Sequence, residues 1–133
     1  MRYIGFDMGD GESAVAAFER GSLIEPVILP VCGSASLLSA VGLLGGEIVV
    51  GDRALTDALA QELSVRFKSR FTTDPASYED VVRFVRGVLS DLRQSGALRP
   101  DDRFVVGCPA GWNAAARARY RDLLARAGME NPQ

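Results

Sequence analysis

The stretch Ile4-Gly5-Phe6-Asp7-Met8-Gly9-Asp10-Gly11-Glu12-Ser13-Ala14-Val15-Ala16 joins two apolar segments through an acidic turn punctuated by glycine. Alternating apolar residues on either side read as two short strands, Tyr3 to Phe6 and Ser13 to Phe18, paired antiparallel. Glycines in the turn leave backbone N–H groups unobstructed by a Cβ, and Asp7 stands where a carboxylate could hold Mg²⁺, often through water. Any tight hairpin favours glycine and acidic residues, so the turn acquires meaning only from what surrounds it.

Outward from this hairpin, Leu23 to Leu29, interrupted by Pro26, reads as a third strand at an edge. Leu37 to Leu43 and Glu47 to Val50 flank Gly45-Gly46, which suits a two-residue turn and a second hairpin. Asp52 is placed to cap a helix from about Arg53 to Leu63, where Leu55, Leu59 and Leu63 recur at helical spacing. The connecting segment from Val65 to Pro75 carries the basic and aromatic run Phe67-Lys68-Ser69-Arg70-Phe71. Ser77 and Asp80 resemble a capping box opening a longer helix, whose stripe Val81, Phe84, Val85, Val88, Leu89 and Leu92 ends near Gly96. Phe104 to Cys108 is short and continuously apolar, as in a parallel strand covered on both faces, and Pro109 ends it. Asn113 can cap a last helix with Ala116, Tyr120, Leu123, Leu124 and Ala127 on one face and Gly128 at its end.

Composition narrows the function classes. At 133 residues and 47% hydrophobic content the chain suits one globular domain. Cys32 and Cys108 match no metal spacing and make no disulfide framework, and no apolar leader precedes the first strand. The cytoplasm is therefore the expected compartment. No apolar run approaches the roughly 20 residues of a membrane span, so no membrane partner is expected. A net charge of −2 argues against nucleic acid as the main partner, and Arg117, Arg119, Arg121 and Arg126 fall around the last helix rather than along one face. With no histidine, proton transfer must use carboxylates, lysine or water, and the usual zinc sites are excluded.

Several segments, in one order along the chain, resemble the nucleotide-binding domain of the DnaK-type heat-shock chaperones, members of the actin-like ATPase superfamily. That family's first phosphate loop usually reads Asp-Leu-Gly-Thr-Thr, and Asp7, Gly9 and Ser13 follow its pattern. Val49-Val50-Gly51-Asp52-Arg53-Ala54 is similar to its Val-Gly-Asp-x-Ala helix start, and Phe67-Lys68-Ser69-Arg70 sits where the family carries its catalytic lysine. Val106 to Asn113, with Arg117 beyond, is similar to its Val-Pro-Ala-Tyr-Phe-Asn segment and following arginine.

The resemblance implies an α/β, ribonuclease-H-like half-domain over residues 1–133. Its mixed sheet would have an antiparallel meander plus a parallel strand, flanked by helices, with a hairpin and helical insertion at about 30–100. It further implies ATP or ADP with Mg²⁺ as ligands. Asp7 would lie near the metal, the loop Gly9, Asp10, Gly11 and Glu12 would meet the β/γ-phosphates, and Lys68 would position the attacking water. Pro109 and Arg117 would couple nucleotide state to a neighbouring peptide-binding domain, with peptide clients and co-chaperones as partners.

Two departures qualify this. Asp10 and Gly11 replace the family's threonines, and a carboxylate about 4 Å from a phosphate charge costs roughly 4 kcal/mol at an effective dielectric of 20. Asp10 must therefore turn away, share the metal or weaken binding. The family's second phosphate loop and adenosine segment have no counterpart in the 133 residues, so the expectation is one wall of a cleft whose other wall is a second lobe, and no ATP turnover by this chain alone. Other readings are a small-molecule kinase of the same superfold, a non-catalytic actin-like assembly or regulatory protein, and a two-metal nuclease using Asp7 and Asp10.

Overall fold

The first two strands form as the alternation requires. In the computed structural model, which describes residues 1–133, β1 (Arg2–Met8) and β2 (Glu12–Glu19) pair antiparallel, with Tyr3 opposite Phe18 and Met8 opposite Ser13. Ile4, Phe6 and Met8 of β1, and Ser13, Val15 and Ala17 of β2, point to the buried side. Tyr3, Gly5 and Asp7 take the opposite side by the two-residue period.

The expected third strand shrinks to β3 (Val27–Ile28), paired with Ala16 and Ala17 of β2, while Leu23 and Ile24 lie in solvent. Pro26, which cannot donate to a ladder, stands just before the pairing begins. The expected strand from Leu37 to Leu43 is also divided. β4 (Leu37–Leu38) pairs with β2, whereas β5 (Ala40–Leu44) forms a hairpin with β6 (Glu47–Val50) across Gly45-Gly46, both at positive φ. Ser39 lies at the division, its N–H donating to the Gly11 carbonyl at 2.8 Å.

The helix expected from Arg53 to Leu63 is a correction. Only α1 (Asp52–Thr56) is helical, and β7 (Gln61–Val65) follows, pairing with β5 to complete a three-stranded sheet. Leu55, Leu59 and Leu63, which suggested one apolar helical face, are all exposed. Asp57 ends the helix by accepting the Leu59 N–H at 3.0 Å, and Glu62 takes φ 51°, outside any right-handed helix. Asp52 makes no side-chain cap; Gly51, at φ 73°, is the residue before the helix.

Helix α2 (Ser77–Gln94) buries Val81, Phe84, Val85, Val88, Leu89 and Leu92, the expected stripe. Its start differs from the expected capping box. Asp74 accepts the Ala76 N–H at 3.0 Å, Ser77 donates its hydroxyl to the Asp74 carbonyl, and Asp80 instead receives the Ser64 hydroxyl at 2.7 Å. Gly87 lets α2 approach the hairpin, since a Cβ there would meet Val50 Cγ1 at 2.6 Å and Ile48 Cγ2 at 2.9 Å.

β8 (Arg103–Val106) runs parallel to β1, giving the order β3-β2-β1-β8 in the larger, mixed sheet. It is covered on one face only: Phe104 is buried at 6% exposure, but Val105 remains 38% exposed. Gln133 closes the outer edge of β8, donating to the Phe104 carbonyl and accepting from the Val106 N–H. Helix α3 (Ala114–Ala127) is capped by Asn113, which accepts the Ala116 N–H at 2.8 Å, and ends at Gly128 in the left-handed region. Tyr120, Leu123, Leu124 and Ala127 face the core, and Ala116 is partly buried.

One cluster of 24 buried residues joins the inner face of the larger sheet to α2 and α3. The protein is thus α/β, with a mixed sheet and three helices. The opposite sheet face, with Tyr3 stacked on Phe18 at 5.4 Å, carries no helix.

Candidate functional site

The turn between β1 and β2 is braced from two sides. Gly9 donates its N–H to the Glu12 carbonyl at 3.0 Å, closing the turn. Ser39 Oγ donates to the Gly9 carbonyl at 2.7 Å, which commits its proton, so the 2.8 Å contact between Ser13 Oγ and Ser39 Oγ uses the Ser13 proton. Ser36 donates to the Glu12 carboxylate at 3.1 Å. On the other side Lys68 Nζ donates to the Met8 carbonyl, and Asp10 Oδ1 accepts the Ser69 N–H at 2.9 Å.

This bracing occupies carbonyls and side chains but leaves two donors. The N–H groups of Asp10 and Gly11 bond to no group of the protein. The Gly9 N–H, expected to share in anion binding, is already committed to Glu12. Asp10 resolves its own difficulty by facing the Ser69 amide. Gly9 is required for a steric reason: a Cβ there would lie 2.3 Å from the Glu12 carbonyl oxygen, whereas one on Gly11 meets nothing within 4 Å. Gly9→Ala is therefore expected to cost about 1–3 kcal/mol through forced backbone displacement, and Gly11→Ala within about 0.5 kcal/mol. Urea midpoints of the two variants measure the difference, and equal midpoints would remove the steric role assigned to Gly9.

Lys68, Asp7, Asp10 and Cys108 converge where β1 and β8 end. Burial lowers the Lys68 pKa below that of an ordinary lysine, while the charges of Asp7, Cys108 and Asp10 oppose the shift without cancelling it. Asp7 is exposed, beyond the last residue of β1 that pairs with β8. Cys108 follows β8 and is exposed. Ligands of α/β sheets gather at the carboxyl ends of parallel strands, and these groups stand at that end of the β1–β8 pair.

Lys68 is held there by its neighbours in sequence. Phe67 is fully buried against Phe84, at 5.2 Å between ring centres. Phe71, whose N–H donates to the Lys68 carbonyl, stacks on Trp112 at 4.7 Å and meets Tyr120 edge-on at 5.6 Å. Tyr120 reads from sequence as core, and no motif marks it otherwise. Its hydroxyl is buried yet has no hydrogen-bond partner, and burial, with the charges of Cys108 and Asp7, holds its pKa well above that of an ordinary phenol.

Pro109 directly follows Cys108, and Arg117 lies on α3. The Pro109 carbonyl accepts the Trp112 N–H in a turn, and the Arg117 side chain is exposed on α3 without an ion-pair partner. A groove of about 920 Å³ lies elsewhere, between β6 and α2. Glu47, Asp52 and Asp91 there outnumber Arg53 and Arg86, and Asp91 is already accepting the Cys32 N–H at 2.8 Å. The turn end is therefore the stronger candidate, because free amides and a partly buried amine coincide there.

No group of three or more carboxylate or cysteine side chains is arranged to hold a metal directly. Asp7 is one exposed carboxylate, which suits a Mg²⁺ ion that keeps most of its waters and takes its remaining ligands from phosphate. No helix is long and apolar enough to cross a membrane. No protein-family model matches the chain, and no curated protein matches it.

Proposed function

We propose that residues 1–133 form the first lobe of a DnaK-like, ATP-binding chaperone ATPase with a ribonuclease-H-like sheet, and that the β1–β2 turn receives the phosphate tail of ATP or ADP. The observation that carries this reading is the pair of unpartnered amides at Asp10 and Gly11 beside Lys68. Free amides, a fixed cation and a nearby carboxylate make up the donor set that phosphoryl transfer uses: amides and lysine meet phosphate oxygens, and the carboxylate meets a hydrated Mg²⁺. The antiparallel β3-β2-β1 order with β8 parallel to β1 supports the fold assignment. So does the return of the chain after α3 to the edge of β8.

Local charge makes the metal necessary. Asp7, Asp10 and Glu12 outweigh Lys68, so a bare polyphosphate meets net repulsion that Mg²⁺ removes. In the intact protein a second lobe closes the cleft, Lys68 orients the attacking water, and Pro109 and Arg117 relay the nucleotide state to a peptide-binding domain with its clients and co-chaperones. Calorimetric titration tests the reading. Mg²⁺-tripolyphosphate and Mg²⁺-ATP should bind with similar, weak affinity, AMP should not bind, and chelation of Mg²⁺ should abolish binding. AMP binding as well as ATP, or phosphate release by the chain alone that Lys68→Ala abolishes, contradicts it.

A further inference from the structure

Strand edges expose unpaired backbone groups, and most edges of this protein are blunted. β3 and β4 are each two residues long, β8 is closed by Gln133, and β7 carries a register shift against β5 and a positive φ at Glu62. β6 has none of these devices. It pairs with β5 in unbroken register through all four of its residues, and no strand covers its other side. The two-residue turn makes Leu44 and Glu47 a hydrogen-bonded pair, and the Gly51 N–H bonds to the Ala40 carbonyl at 2.9 Å, so by alternation Gly42 and Val49 form the bonded pair between them. The N–H and C=O groups of Ile48 and Val50 therefore point away from β5, and no backbone bond outside the ladder reaches either residue. This edge borders the 920 Å³ groove: all of Glu47–Val50 lines it, together with residues of α2 and of the segment 32–37.

We propose that β6 is a docking edge for an extended segment of a partner protein, with basic and β-branched residues in alternation, which adds to the small sheet as a further strand within this groove. Main-chain bonds to Ile48 and Val50 hold the segment, and its alternate side chains decide which segment is held. Side chains sharing the face of Ile48 and Val50 favour valine or isoleucine, whereas those on the opposite face meet exposed Glu47, which favours lysine or arginine. The groove's charges point the same way. Arg86 is turned to the Arg126 carbonyl and Asp91 to the Cys32 N–H, which leaves Glu47 and Asp52 against Arg53 alone. A groove bounded by α2 and by residues 32–37 admits a single extended chain more readily than the edge of a second folded copy.

The probe is the peptide acetyl-Lys-Val-Lys-Val-Lys-Val-amide, titrated into the ¹⁵N-labelled chain. The Ile48 and Val50 amides should move furthest and exchange more slowly, with saturation at one peptide per chain, while the Glu47 and Val49 amides, already bonded to β5, move less. Two N-methylated forms of the peptide, one methylated at the valines and one at the lysines, separate strand addition from charge attraction without altering the protein. In an added strand only alternate peptide N–H groups face β6, so one form should lose at least about tenfold in affinity and the other stay within about twofold. Glu47→Lys should weaken the unmodified peptide about two- to fivefold. Three results would each overturn the proposal: equal binding of both methylated forms, no movement at Ile48 and Val50 up to about 10 mM peptide, or movement of those two amides on concentrating the chain alone, which would put a second copy on the edge.

Discussion

Lys68→Met is expected to weaken Mg²⁺-tripolyphosphate binding at least about a hundredfold while changing folding stability by no more than about 1 kcal/mol, because the lost bond to the Met8 carbonyl is offset by the relieved burial of a charge. The amine is the one cation bonded to the turn, and a unit charge about 4 Å from a phosphate is worth roughly 4 kcal/mol at an effective dielectric of 20. Methionine keeps the length and apolar stem of lysine, so packing beside Phe67 is retained. The offset arises because burial lowers the amine's pKa: the folded state disfavours the charged form, and that cost is present below the folded pKa. It is relieved as pH rises through that value towards the ordinary lysine pKa of 10.5. In the same window the parent protein should lose anion affinity at a lower pH than an ordinary lysine would dictate. Titration calorimetry across that range, with the Lys68→Met variant as the pH-insensitive control, measures both effects. Unchanged affinity in the variant removes Lys68 from the site.

Asp102→Asn is expected to cost about 3–5 kcal/mol of folding stability, the usual consequence of stranding one partner of a buried pair. Asp102 has a side chain only 1% exposed, and Arg2, at 12%, reaches it with Nε at 2.7 Å and Nη2 at 2.6 Å. The same guanidinium donates to the Ala97 carbonyl at 2.6 Å, and the Arg99 N–H donates to Asp102 at 2.7 Å. The start of β1 is thereby clamped to the turn between α2 and β8. Burial alone would raise the Asp102 pKa, but the hydrogen bonds from Arg2 and Arg99, with the Arg2 charge, hold it below the usual carboxylate value. A depressed carboxylate stabilises the fold above its unfolded pKa of 3.8 and loses that contribution as pH falls through the folded value. Urea unfolding should thus show a loss in the variant at neutral pH that narrows towards pH 3 and below. A constant difference between parent and variant across that range contradicts the clamp.

Strong periodicity was legible and local chain reversals were not. β1, β2, α2 and α3 follow directly from alternation or from a continuous apolar stripe, because burial on one face dictates both. The segment after Asp52 misleads because three leucines at helical spacing carry no information when none is buried; Asp57 and Glu62 decide the backbone instead. β8 misleads in the opposite sense, since a continuous apolar run signals coverage that only its Phe104 side receives. At the site, Asp7, Lys68 and the turn were legible from residue type and resemblance. The commitment of the Gly9 N–H to Glu12, the turning of Asp10 to Ser69 and the orphaned Tyr120 hydroxyl depend on contacts between segments distant in sequence. A tyrosine within an apolar helical stripe gives no sign that its hydroxyl lacks a partner.

The most direct measurement is the amide spectrum of the ¹⁵N-labelled chain during titration with Mg²⁺-tripolyphosphate. The Asp10 and Gly11 N–H resonances should move furthest, shifting as amides do when they acquire a charged acceptor, with the Gly9 N–H nearly still because Glu12 already holds it. Shifts centred instead on Arg53 and Arg86 in the β6–α2 groove, or none up to about 10 mM ligand, a concentration at which even a binding energy of roughly −3 kcal/mol would register, would contradict the account.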